Sequence, residues 1–246
     1  MESRIEKIEL VRRLQKEIDA LQGLGKSIGR TAEGGFQPFE SAFPDHTFPT
    51  GTVHEFISYE SGEAASTNGF IAAIAGKLMV REGICLWIGA GRKLFPPAVK
   101  NFGIDPERIV FLDLHRQKDI LWCIEESLKC EALTAVVAEI REVDFSQSRR
   151  LMLAVERSGV SGFIHRHQPL KENTIACTTR WRISPLSTVS SEGLPGIGYP
   201  RWDVQLLKVR NGKPSAWQIE WSEGNFEQFD NKLFSLPSTF EERKIV

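Results

Sequence analysis

Residues 52–80, TVHEFISYESGEAASTNGFIAAIAGKLMV, decide the fold. TVHEFIS (52–58) has the apolar, β-branched character of a short buried strand, and FIAAIAGKLMV (70–80) that of a helix. The small residues between them, 58–69, read as a loop. Strand, small-residue loop and helix form the arrangement in which backbone N–H groups and a helix N-terminus converge on a phosphate. A working phosphate loop also needs a Lys for the outer phosphates and a Ser or Thr hydroxyl for the metal. The candidate loop runs Glu60, Ser61, Gly62, Glu63, Ala64, Ala65, Ser66, Thr67, and the lysine position falls within Glu63–Ala65. The expectation is a scaffold retained for binding, without hydrolysis.

Outward from this stretch, short β-like runs alternate with helical ones as far as about residue 183. The predicted strands are TVHEFIS, ICLWIGA, RIVFLDL, LTAVVAE, VSGFIHR and NTIACTTRWRI, with helical patterns such as DILWCIEESLK and SRRLMLAVERS between them. Apolar strands separated by helices predict a mostly parallel sheet covered on both faces, joined by right-handed crossovers. RWDVQLLKVRNGKPSAWQIEW then alternates apolar and polar residues around Asn211-Gly212, which predicts an antiparallel hairpin extending the sheet. Upstream, Ile5, Ile8, Val11, Leu14, Ile18 and Leu21 recur at steps of three and four, as on a helix with one apolar stripe. The expected organisation is an amphipathic helix over 1–24, a linker over 25–47, a core with its hairpin over 48–229, and a tail over 230–246.

Composition excludes several function classes. The formal net charge of −1 gives no global attraction to nucleic acid or to an acidic membrane, so any DNA contact needs a local patch. Cys85, Cys123, Cys130 and Cys177 occur singly, with no CxxC pair, and read as buried thiols in a reducing compartment. No apolar run reaches membrane-spanning length and the N-terminal residues are charged and periodic, so the expected location is cytoplasmic. No metal or cofactor is expected.

FPTGTVHEF (48–56), REGICLWIGAGRKLFPPAVKNFGIDPERIVFL (81–112), TRWRIS (179–184) and the RWDVQLLKVRNGKPSAWQIEW hairpin carry a resemblance in their order and spacing. Over roughly residues 44–222 the chain resembles the RecA-like recombinase core, and within it the ImuA family of error-prone repair accessory proteins. The resemblance implies a RecA-like three-layer α/β fold with a mostly parallel central sheet, a C-terminal antiparallel hairpin and an N-terminal helix. It also implies a catalytically inactive subunit of a DNA-damage-induced translesion synthesis complex. Its partners would be a Y-family polymerase-like protein of the ImuB type and, through it, an error-prone polymerase and RecA filaments. Self-association through the N-terminal helix is a further implication. The departures are informative: no Lys at Glu63–Ala65, Gly91 where an active recombinase carries a carboxylate, and Glu139 as the offset remnant of the Walker-B acid. Phosphoryl transfer depends on positioned charge, so these losses remove its means.

Other constellations in the chain have plainer readings. ALQGLGKS (20–27) matches a loosened phosphate-loop pattern but lacks a preceding strand. Gly89–Gly91 after a strand suggests a dinucleotide turn, yet Leu94 stands at the third glycine position. His165-Arg166-His167 sits at a strand end, where a polar edge outweighs a metal site and Arg166 is the candidate for an anion or partner contact. Arg180, Trp181, Arg182, Arg201 and Trp202 form a candidate partner or DNA surface, the alternative being tryptophans packed in the core with arginines reaching solvent. Two other functions stay open: a RecA-like ATP-binding protein or NTPase, and a SulA-like division inhibitor that binds FtsZ.

Overall fold

The computed structural model describes residue 13 and residues 35–79, 83–90, 94–188 and 198–229. The expected N-terminal stripe of Ile5, Ile8, Val11, Leu14 and Ile18 lies outside the described residues. So do Gly91, the 20–27 motif and the 230–246 tail.

Nine strands form one sheet in the order β3-β2-β4-β5-β1-β6-β7-β8-β9. They are β1 (Val53–Ser58), β2 (Ile84–Gly89), β3 (Ile109–Asp113), β4 (Leu133–Ile140), β5 (Ser161–His167), β6 (Thr179–Leu186), β7 (Arg201–Val209), β8 (Ser215–Ser222) and β9 (Asn225–Gln228). The six strands from β3 to β6 run parallel, and β7, β8 and β9 continue antiparallel from β6. This is the expected α/β class with a mostly parallel core and a C-terminal antiparallel run. The hairpin turns at Asn211, which adopts φ 58°, and at Gly212. A Cβ on Gly212 would lie 2.3 Å from the Ala42 carbonyl oxygen, so a close approach of backbone requires glycine there.

Helices cover both faces. Helix α1 (Ser61–Leu78) lies on one, and α2 (Gln117–Leu128) and α3 (Phe145–Ser158) on the other. The run of Ala and Ile in α1 is buried on all sides from Thr67 to Gly76, which suits a central helix. A Cβ at Gly76 would come within 2.1 Å of the Phe102 carbonyl oxygen, so glycine lets the 3-10 turn Pro96–Phe102 close against α1. Helix α3 starts with a capping box: Asp144 accepts from the Gln147 N–H at 2.7 Å, and Gln147 accepts from the Asp144 N–H at 3.0 Å. It ends at Gly159, φ 70°.

Two cores follow from strand alternation. The α1 face is aromatic. Phe39 meets Phe70, Trp181, Trp217 and Phe226 edge-on at centroid separations of 5.1–5.8 Å. Burial of each such ring contributes about 1.5–3 kcal/mol. The opposite face packs aliphatic residues such as Val53, Ile88, Ile124, Val136 and Leu151 under α2 and α3.

Several sequence expectations need correction. The residues read as a loop are helical from Ser61, and only Tyr59 and Glu60 separate β1 from α1. The predicted strand NTIACTTRWRI is extended chain in a sheet only from Thr179. Residues 35–47, part of the expected linker, hold two short 3-10 turns, Phe39–Ala42 and Pro44–His46, and Phe36, Phe39 and Phe43 in this stretch are buried in the aromatic core. Among the cysteines, Cys85 and Cys177 are buried, Cys123 is half-buried and Cys130 is exposed; all four are free thiols. No helix among the described residues is long and apolar enough to cross a membrane.

Candidate functional site

The site lies at the C-terminal ends of the parallel strands, where open α/β sheets place their ligands. Glu60 is the N-cap of α1, its side chain making no capping bond, and Gly62 is helical. With a helix directly after the strand, no loop remains to wrap a phosphate. The head of α1 is occupied instead by a side chain of the protein. Glu63, 9% exposed at its side chain, accepts the Tyr59 backbone N–H through Oε2 at 2.8 Å. Its Oε1 accepts from Arg182 Nε and Nη2 at 3.1 and 2.8 Å and from the Ser184 hydroxyl at 3.2 Å. The Arg182 guanidinium stands 5.2 Å over the Tyr59 ring. A carboxylate thus receives the backbone and cationic donors that an external anion would need. Of the remaining residues in the expected loop, Ala64 and Thr67 are buried, Ser66 is half-buried, and Ser61 and Ala65 are exposed.

Beneath the first turns of α1 runs a buried polar chain that sequence reading missed. Ser58 Oγ lies 2.8 Å from His165 Nε2 and 3.2 Å from His167 Nδ1. His165 Nδ1 lies 2.8 Å from Asn68 Oδ1, and Asn68 Nδ2 donates to Glu139 Oε1 at 3.3 Å. Trp87 Nε1 donates to the same oxygen at 2.9 Å. Ser, His and Asn in this sequence of bonds resemble a nucleophile, its base and an orienting group. Ser58 is 0% exposed and His165 1%, so no substrate atom reaches Oγ in this structure. The chain ties the ends of β1, β2, β4 and β5 to α1. Glu139, expected as the Walker-B remnant, is part of it, with its Oε1 receiving two N–H donors. Among the described residues no three His, Cys, Asp or Glu side chains gather as a metal set.

On the opposite face, Glu55 of β1 is fully buried between two arginines. Arg166 Nη1 donates to Oε1 at 3.0 Å and Arg180 Nε to Oε2 at 2.6 Å. Arg166 Nη2 also donates to Glu142 at 3.3 Å and to the Lys171 carbonyl at 3.0 Å. Arg180 Nη2 donates to the Asn173 carbonyl at 2.8 Å, and Lys208 Nζ to the Ile175 carbonyl at 3.2 Å. Three cations therefore hold the connection between β5 and β6 against the sheet.

The candidate Arg/Trp set separates by strand parity. Trp181 and Trp202 are 0% and 3% exposed and point into the aromatic core. Arg166 is wholly buried, and the Arg180 side chain is 15% exposed. Arg201 pairs with Glu220 and lies 4.5 Å over the Phe229 ring. Arg182, 41% exposed at its side chain, is the member of the set that most faces solvent. The structure brings Arg182 together with the head of α1, buries Arg166, Trp181 and Trp202, and holds the mostly buried Arg180 and Arg201 in ion pairs.

The chain is 28% identical over 208 residues to a protein of Caulobacter vibrioides strain NA1000 / CB15N, a match covering 80% of this chain and 85% of that relative. That relative is Protein ImuA. Protein ImuA of Caulobacter vibrioides strain ATCC 19089 / CIP 103742 / CB 15 matches to the same extent. No protein-family model matches the chain.

Proposed function

From the premise that this chain is a homologue of Protein ImuA, which supports its membership of the ImuA family, we propose that it is a non-catalytic accessory subunit of a damage-induced mutagenesis system. It acts by binding other proteins. Its partner is a Y-family polymerase-like protein of the ImuB type, and that partner connects it to an error-prone polymerase and to RecA filaments.

The observation that carries the non-catalytic reading is Glu63. A nucleotide at the head of α1 would have to displace a carboxylate already bonded to Tyr59, Arg182 and Ser184. Among the described residues it would then find neither a lysine at Glu63–Ala65 nor a loop between β1 and α1 to hold its phosphates. Phosphoryl transfer needs those positioned charges. The sheet, its helices and the buried ion cluster remain as a rigid frame for presenting surfaces. Arg182 and the apolar stripe Ile5, Ile8, Val11, Leu14 and Ile18 are the surfaces proposed for partner contact and self-association. Arg166, Arg180, Trp181, Arg201 and Trp202 support them from within.

Affinity capture of the tagged full chain from DNA-damaged cells, with partners identified by mass spectrometry, tests the reading. Recovery of a Y-family polymerase homologue is expected. Recovery of FtsZ alone, or of no polymerase homologue, would overturn it.

A further inference from the structure

The outward surfaces of α2 and α3 enclose a groove. Five of the six tryptophans are at most 8% exposed, whereas Trp122 on α2 is 65% exposed. Below it lies a cavity of about 400 Å³ lined by Gln117, Lys118, Leu121 and Gln147. A second cavity of about 400 Å³ continues along the same helices past Leu153, itself 52% exposed, to Arg157. Glu125 and Arg150, paired with each other, belong to both cavities and form the sill between them. The whole feature follows α2, whose 12 residues span ~18 Å, or about three helical turns.

Its charge is distinctive. The lining holds the cations Lys118, Lys129, Arg150 and Arg157 against the acids Glu125 and Glu131, in a chain whose net charge is −1. Lys129 pairs with Glu125 and Glu126, and Arg150 with Glu125. Lys118 and Arg157 have no ion-pair partner among the described residues, and they stand at opposite ends of the groove. Trp122 and Arg157 are of the residue types enriched at protein-binding hot spots, and Leu153 adds exposed apolar area between Lys118 and Arg157. A nucleic-acid backbone would meet Glu125 and Glu131 and would find one aromatic ring for stacking, which disfavours it.

We propose that this double groove takes one acidic amphipathic helix of a partner protein, about three turns long. Two apolar anchors about two turns apart fill the cavities beside Trp122 and Leu153, and carboxylates at its ends meet Lys118 and Arg157. The proposal rests on the reading that the chain acts by protein binding, and it adds to Arg182 and the N-terminal stripe a further contact surface, away from the hairpin and the head of α1.

Trp122 supplies the readout, because acrylamide in solution reaches it far more readily than the five buried tryptophans. The probes are a lactam-stapled helical peptide of about 14 residues, with Leu at i, i+4, i+7 and i+11, Glu at both ends and Ala or Gln elsewhere, and its counterpart with Lys in place of Glu. The full-length chain with the acidic peptide should lose most of its acrylamide quenching. The acidic peptide should also bind at least about tenfold more tightly than the basic one. The Lys118→Glu/Arg157→Glu variant should lose that preference while keeping its circular dichroism, and Trp122→Phe should remove the quenchable signal. Unchanged quenching, equal binding of both peptides, or equal protection by a single-stranded oligonucleotide would overturn the groove assignment. Peptide docking without capture of a polymerase homologue would remove the partner's identity and leave the groove. Capture that survives the charge-reversal variant, with no peptide protection, would remove the groove alone.

Discussion

Arg182 donates through Nε and Nη2 to one oxygen of Glu63, at 3.1 and 2.8 Å, although 119 residues separate the two. The other oxygen of Glu63 receives the Tyr59 N–H. The pair joins β6 to the first turn of α1 and puts negative charge at the helix N-terminus, where the macrodipole favours it.

Replacing Glu63 with Ala should lower stability by about 1–2 kcal/mol, because four hydrogen bonds from Tyr59, Arg182 and Ser184 lose their acceptor. The partial exposure of Arg182 keeps the figure small. Urea unfolding measures this directly. In the wild-type chain, ATP with Mg²⁺ should leave Tm unchanged, and a nucleotide-dependent rise of several degrees would contradict the occupied-site reading.

Removing one member of the Glu55–Arg166 pair should be far more damaging. Both side chains are fully buried: Glu55→Met leaves Arg166 with Glu142 alone, and Arg166→Met leaves Glu55 with Arg180 alone, each at a cost of up to about 3–5 kcal/mol. The double variant should cost less than the sum of the two. Chemical denaturation of all three proteins completes the cycle. For the same reason charge reversal at Arg180 should destabilise the fold, whereas reversal at Arg182 should not unfold it.

His54 sits between Phe48 and Phe163, with ring centroids 5.2 Å from each, and burial lowers its pKa from 6.5 to about 3, with the Pro49 backbone acting in the opposite direction. Above pH 6.5 both the folded and unfolded imidazoles are neutral. Between pH 6.5 and 3 the unfolded chain binds a proton that the folded chain excludes, so stability falls as pH falls. The slope from this residue approaches about 1.4 kcal/mol per pH unit. His54→Phe should flatten the decline between pH 6.5 and 4.5 in denaturant midpoints, and parallel curves would exclude His54 as its source.

Ser58 should resist fluorophosphonate labelling in the native protein, since its hydroxyl is fully buried. Ser58→Ala should cost about 1–3 kcal/mol, the penalty for leaving buried His165 short of a partner. Stoichiometric labelling would mean that the site opens to substrate.

The thiols should differ sharply toward iodoacetamide at pH 8. Burial pushes the Cys85 and Cys177 thiols up to about 12, with the Glu55 charge adding to the effect at Cys177. Cys130 is exposed and should react first, and Cys85 and Cys177 only on unfolding. Peptide mapping after timed alkylation reads the order.

Much of this was legible in the residues. Alternating apolar strands and helices implied the parallel sheet, Asn211-Gly212 marked the hairpin, and the absence of lysine at Glu63–Ala65 argued against hydrolysis. Two local signals misled. Glycine and small polar residues over 58–69 suggested a loop, yet Ala64 and Ala65 favour helix and tertiary packing of α1 carries it back to Ser61. The glycines before Phe36 suggested a linker, although Phe36, Phe39 and Phe43 had to be buried somewhere.

The sequence by itself determined the class of fold, the order of its elements and the lack of a lysine at Glu63–Ala65, because periodicity and missing side-chain types are local properties. Only the tertiary structure decided which distant residues meet. The strand order places β1 between β5 and β6, and this brings Ser58 to His165 and Glu55 to both Arg166 and Arg180. Strand alternation sends Trp181 inward between Arg180 and Arg182. Helix packing across the opposite face leaves Trp122 outside, above the groove. No spacing along the chain encodes those meetings, because they depend on the long-range pairing of strands.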